Sequence, residues 1–515
     1  MMIRNKIVKD TVLLTMMQLV LDSAAIMLNS FITKQLGASA IGIFSLMGSF
    51  LGLAGIISNG NAFLCTSRLI SEELGKKNGN PNKILFHGIS LCMILSLTVS
   101  VVIIAFADPI GSRFFGEPAV VSTLRFMPIA LISGAVSCCF KGYFNACRKA
   151  SYAAISDIME FVVRAAVIVA MTLMATDHSQ GTVCVVMISS IIAGNLVSLA
   201  FMGILFAKKR VRCCEHGTLS FRDYAAFAFP IMGGSILTSL LSSANDALVP
   251  ICLRQSGDSP EQALALFGIF EAIVIPTLFF PSVVLCSLSG LIVTESARAS
   301  AAENTERVRS ITSRLIRYTL IYGIFAAAVL MKFGKPIGQL LGGGELGGRM
   351  ISAIAPVVPF IYMEIVLEAM IKGMGLQAFS SLNYLAEYVI RISVVLILVP
   401  RMGFAGIAIS YYTSNVFGNT SRLIKLLRHT GVRFRPVKML FSPVIYAAMT
   451  MFSSELICKI IRIGNDTLLS IIVFGVIWLV SYCGIYVISA SLTPKSEKRE
   501  KLFVHNNQNS VYKVM

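Results

Sequence analysis

Long apolar runs separated by short polar segments fill most of this 515-residue chain. A run of about 20 apolar residues can cross the hydrocarbon core of a bilayer as a helix, because each residue advances the axis by about 1.5 Å. The pattern predicts fourteen such helices, at residues 11–33, 40–64, 84–107, 120–140, 153–175, 182–207, 226–250, 263–292, 314–331, 350–371, 381–400, 403–421, 439–458 and 466–491. Proline and glycine interrupt several of them: Pro230, Gly233 and Gly234 in the seventh, Pro276 and Pro281 in the eighth, Pro356 and Pro359 in the tenth. Proline removes a backbone donor and kinks a helix, so these positions are expected to mark either irregular packing or a bend used in function. The glycine-rich stretch at residues 342–348 reads as a flexible loop, and residues 492–515 as a polar, disordered tail.

Composition agrees with a chain built for lipid. It is 56% hydrophobic and 14% charged, with a mean hydropathy of +0.78, whereas soluble domains carry about 25% charged residues. The net charge of +18 is concentrated in the short loops, which points to membrane topology and not to nucleic acid. With the N-terminus placed in the cytoplasm, the cytoplasmic segments hold 32 Lys and Arg and the outer segments hold 9. Cytoplasmic loops are the basic ones, so both termini are expected inside. The first apolar run is long enough to span and lacks a small-residue cleavage site, so it reads as a retained first helix. The twelve cysteines and five histidines show no disulfide or metal-binding spacing, so no metal site is expected.

A repeat underlies the pattern. Glu160-Phe161-Val162-Val163-Arg164 recurs 227 positions later as Glu387-Tyr388-Val389-Ile390-Arg391, each downstream of a Lys-Gly pair, Lys141-Gly142 and Lys372-Gly373. Gly42-Ile43-Phe44 recurs as Gly268-Ile269-Phe270, offset 226, and Asp22 matches Asp246, offset 224. The unit is six helices. Six is even, so both copies start with the same orientation and the repeat is parallel, about an axis along the membrane normal. The fold class is therefore all-α: a polytopic membrane protein of about fourteen helices, with two six-helix lobes at residues 1–210 and 211–430. Two further helices follow at 431–491, then the cytoplasmic tail at 492–515. Lobes of this kind enclose a central cavity, and rocking them gives alternating access.

Intramembrane ionisable groups are costly and mark function by default. The Glu–Arg pairs have i, i+4 spacing in the favoured order. They either neutralise themselves inside the bundle, or turn Arg164 and Arg391 toward the cavity, where a guanidinium fork suits a pyrophosphate or acidic sugar. Arg125 reads as an interfacial residue first and a cavity ligand second. Asp22 and Asp246 are the lone acids of their helices and, with Glu364 and Glu368, are the candidates for proton or sodium coupling. Glu271 is similarly open. Gly75-Lys76-Lys77 lacks the glycine and Ser/Thr of a phosphate-binding loop, and no nucleophile constellation emerges. A transporter is indicated, and neither an enzyme nor a cofactor is expected.

Several segments resemble the multidrug/oligosaccharidyl-lipid/polysaccharide flippase superfamily, in its stage V sporulation protein B and polysaccharide-exporter branch. They are Lys141-Gly142-Tyr143-Phe144-Asn145-Ala146 followed by the Glu160–Arg164 motif, residues 33–44 entering the second helix, and residues 399–408 before the twelfth. The resemblance covers about residues 5 to 490. It implies translocation of a lipid-linked sugar or another amphipathic envelope precursor across the bacterial cytoplasmic membrane, alongside envelope-biosynthesis enzymes. In the peptidoglycan-precursor branch the first helix carries cavity arginines. Here that helix has Asp22 and Asn29 and no arginine, which keeps a second reading open: a multidrug antiporter driven by protons or sodium. A third class, a non-transporting envelope scaffold, fits the intramembrane charges least well.

Overall fold

The computed structural model describes residues 2–74, 80–111, 120–147, 149–174, 180–210, 219–302, 304–432, 434, 436–460 and 468–491. The predicted tail lies outside them. Among the described residues, fourteen membrane-scale helical segments follow one another. The first six are α1 (Met2–Leu36), α2 (Ala38–Leu74), α3 (Pro81–Ala105), α4 (Val120–Ala146), α5 (Ala150–Met174) and α6 (Gln180–Lys209). The next six are α7 (Phe221–Gln255), α8 (Pro260–Ser300), α9 (Thr305–Leu340), α10 (Gly344–Gly373), α11 (Gln377–Met402) and α12 (Phe404–Thr430). The last two are α13 (Ser442–Ile460) and α14 (Leu468–Ser491).

Eleven of these are long and apolar enough to span by length and composition alone. The others are α5, α12 and α14. Helix α5 carries Asp157, Glu160 and Arg164, and α12 is rich in Ser, Thr and Asn. In α14 the apolar stretch fully described is Val473–Ser489.

Helices α1–α6 and α7–α12 form two lobes. In the first, α6 packs on α4 and α5; in the second, α12 packs on α11 and α10. One apolar core centres on each lobe, the first also taking in Tyr224, Ala228 and Met232 of α7, and a larger one spans the junction, joining Ile43 and Met47 of α2 to Phe267 and Phe270 of α8. Helices α13 and α14 pack on each other, and α13 leans on α9. The buried Trp478 donates its indole N–H to Ala447 O at 3.2 Å and Thr450 Oγ1 at 3.1 Å. An indole N–H buried without such a partner would be costly.

The proline-rich helices differ from one another. Helix α8 changes to a π-turn at Phe270–Val274 and to a 3-10 turn at Phe280–Ser282, around Pro276 and Pro281. Helix α10 has a 3-10 turn at Ala355–Val357 beside Pro356. By contrast, α7 runs unbroken through Pro230 and Pro250. Helix α2 continues past its predicted end, breaking at Gly60 (φ 53°) and Asn61 (φ 55°) and resuming from Ala62 to Leu74.

The glycine-rich stretch is a correction. Instead of a loose loop, it is the tight end of the α9–α10 hairpin, with Gly344 opening a helix. A Cβ on Gly338 would fall 2.2 Å from Gly348 N, so the glycines permit backbone-to-backbone contact between the two helices.

Candidate functional site

The glycines of the two Lys-Gly pairs do the same job in each lobe. A Cβ on Gly142 would fall 2.8 Å from Phe63 O of α2, and one on Gly373 would fall 2.6 Å from Val293 O of α8. This close approach sets the preceding lysines at matching positions, from which their surroundings diverge.

In the first lobe, Lys141 donates to Asp157 at 2.6 Å and to Glu160 at 3.0 Å, and Arg164 donates to Glu160 at 2.9 Å. Glu160 thus bridges a lysine on α4 and an arginine on its own helix. All three line a cavity of about 580 Å³ shared with Asn29, Asn59 and Asn195. The Nε of Arg164 is buried with no hydrogen-bond partner. A buried donor without a partner costs free energy, which an acceptor in the cavity would offset only if the side chain turned to present this nitrogen. The acidic and basic residues lining the cavity are Lys141, Arg164 and Glu160.

In the second lobe the charges close on themselves. Arg422 is fully buried and donates Nη1 to Glu387 Oε2 at 3.1 Å. Its Nη2 and Nε stand 3.4 Å from Glu364 and 3.5 Å from Glu368, in ion-pair range without hydrogen-bond alignment. Glu368 also accepts from Ser380 and lies 3.1 Å from Lys372. Arg391 lies 3.5 Å from Glu387, donates Nε to Ser414 at 2.9 Å, and stacks 4.6 Å from the Tyr411 ring. The first lobe holds neutral residues at the matching places. Offset by the Lys-Gly spacing, Ser133 and Ser137 stand where Glu364 and Glu368 stand. At Arg422's counterpart, Ser198 hydrogen-bonds Ser137 at 2.7 Å and Ser156 at 2.8 Å.

A smaller cavity of about 330 Å³ lies between the lobes, lined by Asn29, Ser49, Asp246 and Glu271 among others. Ser49 on α2 donates to Asp246 on α7 at 2.6 Å, and Ser243 donates back to Ser49 O at 3.1 Å. Asn29 on α1 donates to Ala272 O of α8 at 2.9 Å, a carbonyl inside the π-turn. Arg391 is near enough to act on both Asp246 and Glu271 electrostatically. The second lobe's charge network therefore reaches the contact between lobes.

At one end the lobes touch through the repeated Gly-Ile-Phe motif itself. A Cβ on Gly42 would fall 2.0 Å from Leu264 O, and one on Gly268 would fall 2.3 Å from Gly42 N. Farther along α2, Asn61 donates to Ser235 of α7, and Thr66 shares a hydrogen bond with Tyr224 at 2.8 Å. In contrast, Gly52 and Gly55 of α2 and Gly233 and Gly234 of α7 face open space.

The structure brings Glu160, Arg164 and Asn29 to cavities, and joins Glu387, Arg391, Glu364 and Glu368 in one network. Asp246 sits between the lobes, whereas its sequence partner Asp22 takes a hydrogen bond from Gln18 of its own helix at 2.9 Å. Arg125 is exposed beside Phe126, and neither it nor Asp22 lines these cavities. Sequence reasoning missed Arg422, which stands just beyond the predicted end of the twelfth helix. It also missed Gly194-Asn195 and Gly418-Asn419, a repeated dipeptide with the same offset as Asp22 and Asp246. The ten described free cysteines include Cys92 and Cys139, whose sulfurs share a hydrogen bond at 3.5 Å and no disulfide.

Residues 7–292 match a family described as polysaccharide biosynthesis protein. Stage V sporulation protein B of Bacillus subtilis (strain 168) is 20% identical over 426 residues, covering 81% of this chain and 82% of that one. Among solved structures, the lipid II flippase MurJ in an inward closed conformation aligns with a TM-score of 0.66 and 13% identity, over 93% of this chain and 98% of that chain. An inward-facing multidrug resistance MATE family transporter of the MOP superfamily aligns with a TM-score of 0.63 and 14% identity, over 79% and 95%. At such identities these two structures share the fold.

Proposed function

This chain belongs to the polysaccharide biosynthesis protein family, and we propose that it is a flippase moving a lipid-linked oligosaccharide or related envelope precursor across the bacterial cytoplasmic membrane. The observation that carries the reading is the unequal treatment of charge in the two lobes. Arg422 is sealed among three carboxylates, whereas Arg164 has Glu160 as its one ion-pair partner, and Lys141, which pairs with Glu160 and Asp157, lines the same cavity as Arg164. A guanidinium beside an ammonium suits a diphosphate or acidic sugar.

Transport then follows from the contacts between lobes. The Gly42–Gly268 approach and the Ser49–Asp246 hydrogen bond join the lobes at one end of α2, and Asn61–Ser235 and Thr66–Tyr224 join them farther along it. The first two part when the lobes rock, opening the cavity to the other side. The chain Arg422–Glu387–Arg391 runs toward Asp246 and Glu271. Binding of a proton or sodium ion there would weaken or strengthen the contact and so bias the lobes.

The test is the fate of the envelope precursor in cells. Depleting the protein should leave a labelled lipid-linked sugar on the inner leaflet, and Arg164→Ala should fail to restore its transfer. Restoration by Arg164→Ala at wild-type rate contradicts the reading. One observation favours a second reading, cation antiport: two carboxylates, Asp246 and Glu271, line the inter-lobe cavity. That reading requires increased tolerance to cationic dyes on expression.

A further inference from the structure

A groove of about 750 Å³ runs along α12 on the side opposite its buried Asn415, Asn419 and Arg422. Its walls fall into two parts. Val416, Phe417 and Ile424, all substantially exposed, make a mainly apolar floor together with Phe379 of α11, with the hydroxyls of Thr420 and Ser421 midway along it. Lys425, Arg428 and His429 gather at the end where α12 stops, and the Lys425 ammonium sits 5.5 Å from the Phe379 ring centroid. Among the described residues neither Lys425 nor Arg428 has an acidic partner, although elsewhere in this lobe buried cations are paired.

The dimensions favour one occupant. From Val416 to Arg428 the helix climbs about 18 Å at 1.5 Å per residue, close to one leaflet of a hydrocarbon core about 30 Å thick. A molecule filling the groove is therefore mainly apolar for one leaflet's depth and anionic at the membrane surface. Exposed cations at the end of a membrane helix also attract anionic headgroups. We propose that this groove is a binding site for an anionic glycerophospholipid, its phosphate held by Lys425 and Arg428 and one acyl chain lying along Phe417 and Ile424. The site is separate from the cavity of Lys141 and Arg164, and it holds whichever way the transported substrate is identified.

The test is native mass spectrometry of the purified full-length protein, titrated with dioleoyl-phosphatidylglycerol or dioleoyl-phosphatidylcholine. Wild type should retain phosphatidylglycerol in preference to phosphatidylcholine. The Lys425→Gln/Arg428→Gln variant should lose that preference, by roughly fivefold per cation removed, while Lys425→Arg/Arg428→Lys keeps it. Lys141→Gln/Arg164→Gln, which leaves the groove intact, should bind phosphatidylglycerol as wild type does, and this separates the groove from the transport cavity. Equal retention by wild type and the Gln/Gln variant overturns the proposal, as does equal affinity for the two lipids. Displacement of phosphatidylglycerol from wild type by sub-equivalent undecaprenyl diphosphate also overturns it, because the groove would then belong to a carrier lipid.

Discussion

Gly418 on α12 lies so close to Glu387 on α11 that a methyl group there would fall 2.3 Å from Glu387 Oε2. Gly194 holds the matching place in the other lobe, where the methyl group would fall 2.9 Å from Glu160 O. In both lobes a glycine admits the helix that carries the repeated glutamate, and the asparagine that follows it is turned inward.

Gly418→Ala should therefore destabilise the protein even though alanine favours helix. Overpacking costs about 1–3 kcal/mol, more than the roughly 1 kcal/mol that alanine gains over glycine in a helix, and here the clash falls on an ion-paired carboxylate. The thermal midpoint in detergent should drop. Gly234→Ala, on an open face, should leave it unchanged or higher; equal midpoints for the two variants would contradict the packing described.

Arg422→Ser takes a buried cation from three carboxylates, leaving Glu387 only Arg391 and Glu368 only Lys372 as ion-pair partners and Glu364 without the arginine it faces. Removing one partner of a buried ion pair costs about 3–5 kcal/mol, so little folded protein should survive size-exclusion chromatography. The triple variant Glu364→Ser/Glu368→Ser/Arg422→Ser copies the neutral set of Ser133, Ser137 and Ser198. It should recover most of the monodisperse peak, and a triple variant no better than the single one would show that the cluster is not self-contained.

Ser49→Ala deletes the hydrogen bond to Asp246. Hydrogen bonds to charged groups contribute about 1.5–3 kcal/mol, so the balance between lobes together and lobes apart should move by roughly 10- to 100-fold. Spin labels on α2 and α8 should show a larger population at long distance. An unaltered distance distribution would remove the bond from the gating contact.

Arg164→Ala and Arg125→Ala make a matched pair. Both remove a guanidinium, but Arg164 lines the cavity and Arg125 is exposed on α4. Transport should fall at least tenfold in the first and stay near wild type in the second, at equal expression. Equal loss in both would assign the effect to insertion or folding.

Much of this architecture is legible in the chain. Apolar run length sets the helices, and Glu160–Arg164 with Glu387–Arg391 exposes the six-helix repeat. The arrangement within each lobe is less so. Arg422 was hidden because α12 buries Asn415 and Asn419 and therefore reads as too polar to continue, which left the arginine looking like a loop charge. Asp22 and Asp246 match in sequence, yet Asp246 hydrogen-bonds Ser49 of the other lobe, since α2 lies beside α7 there, whereas Asp22 bonds Gln18 of its own helix. The glycines at 342–348 read as flexible because backbone-to-backbone packing leaves no side-chain signature.

The most direct measurement is scrambling of a fluorescent lipid-linked oligosaccharide in liposomes reconstituted with the purified protein, read by quenching from outside. Wild type should carry the head group across, and a disulfide formed between cysteines replacing Ser49 and Ser243, whose hydroxyl oxygens stand 3.3 Å apart across the lobes, should stop it reversibly with reductant. Undiminished transfer through the oxidised, cross-linked protein would contradict movement of two lobes about a shared cavity.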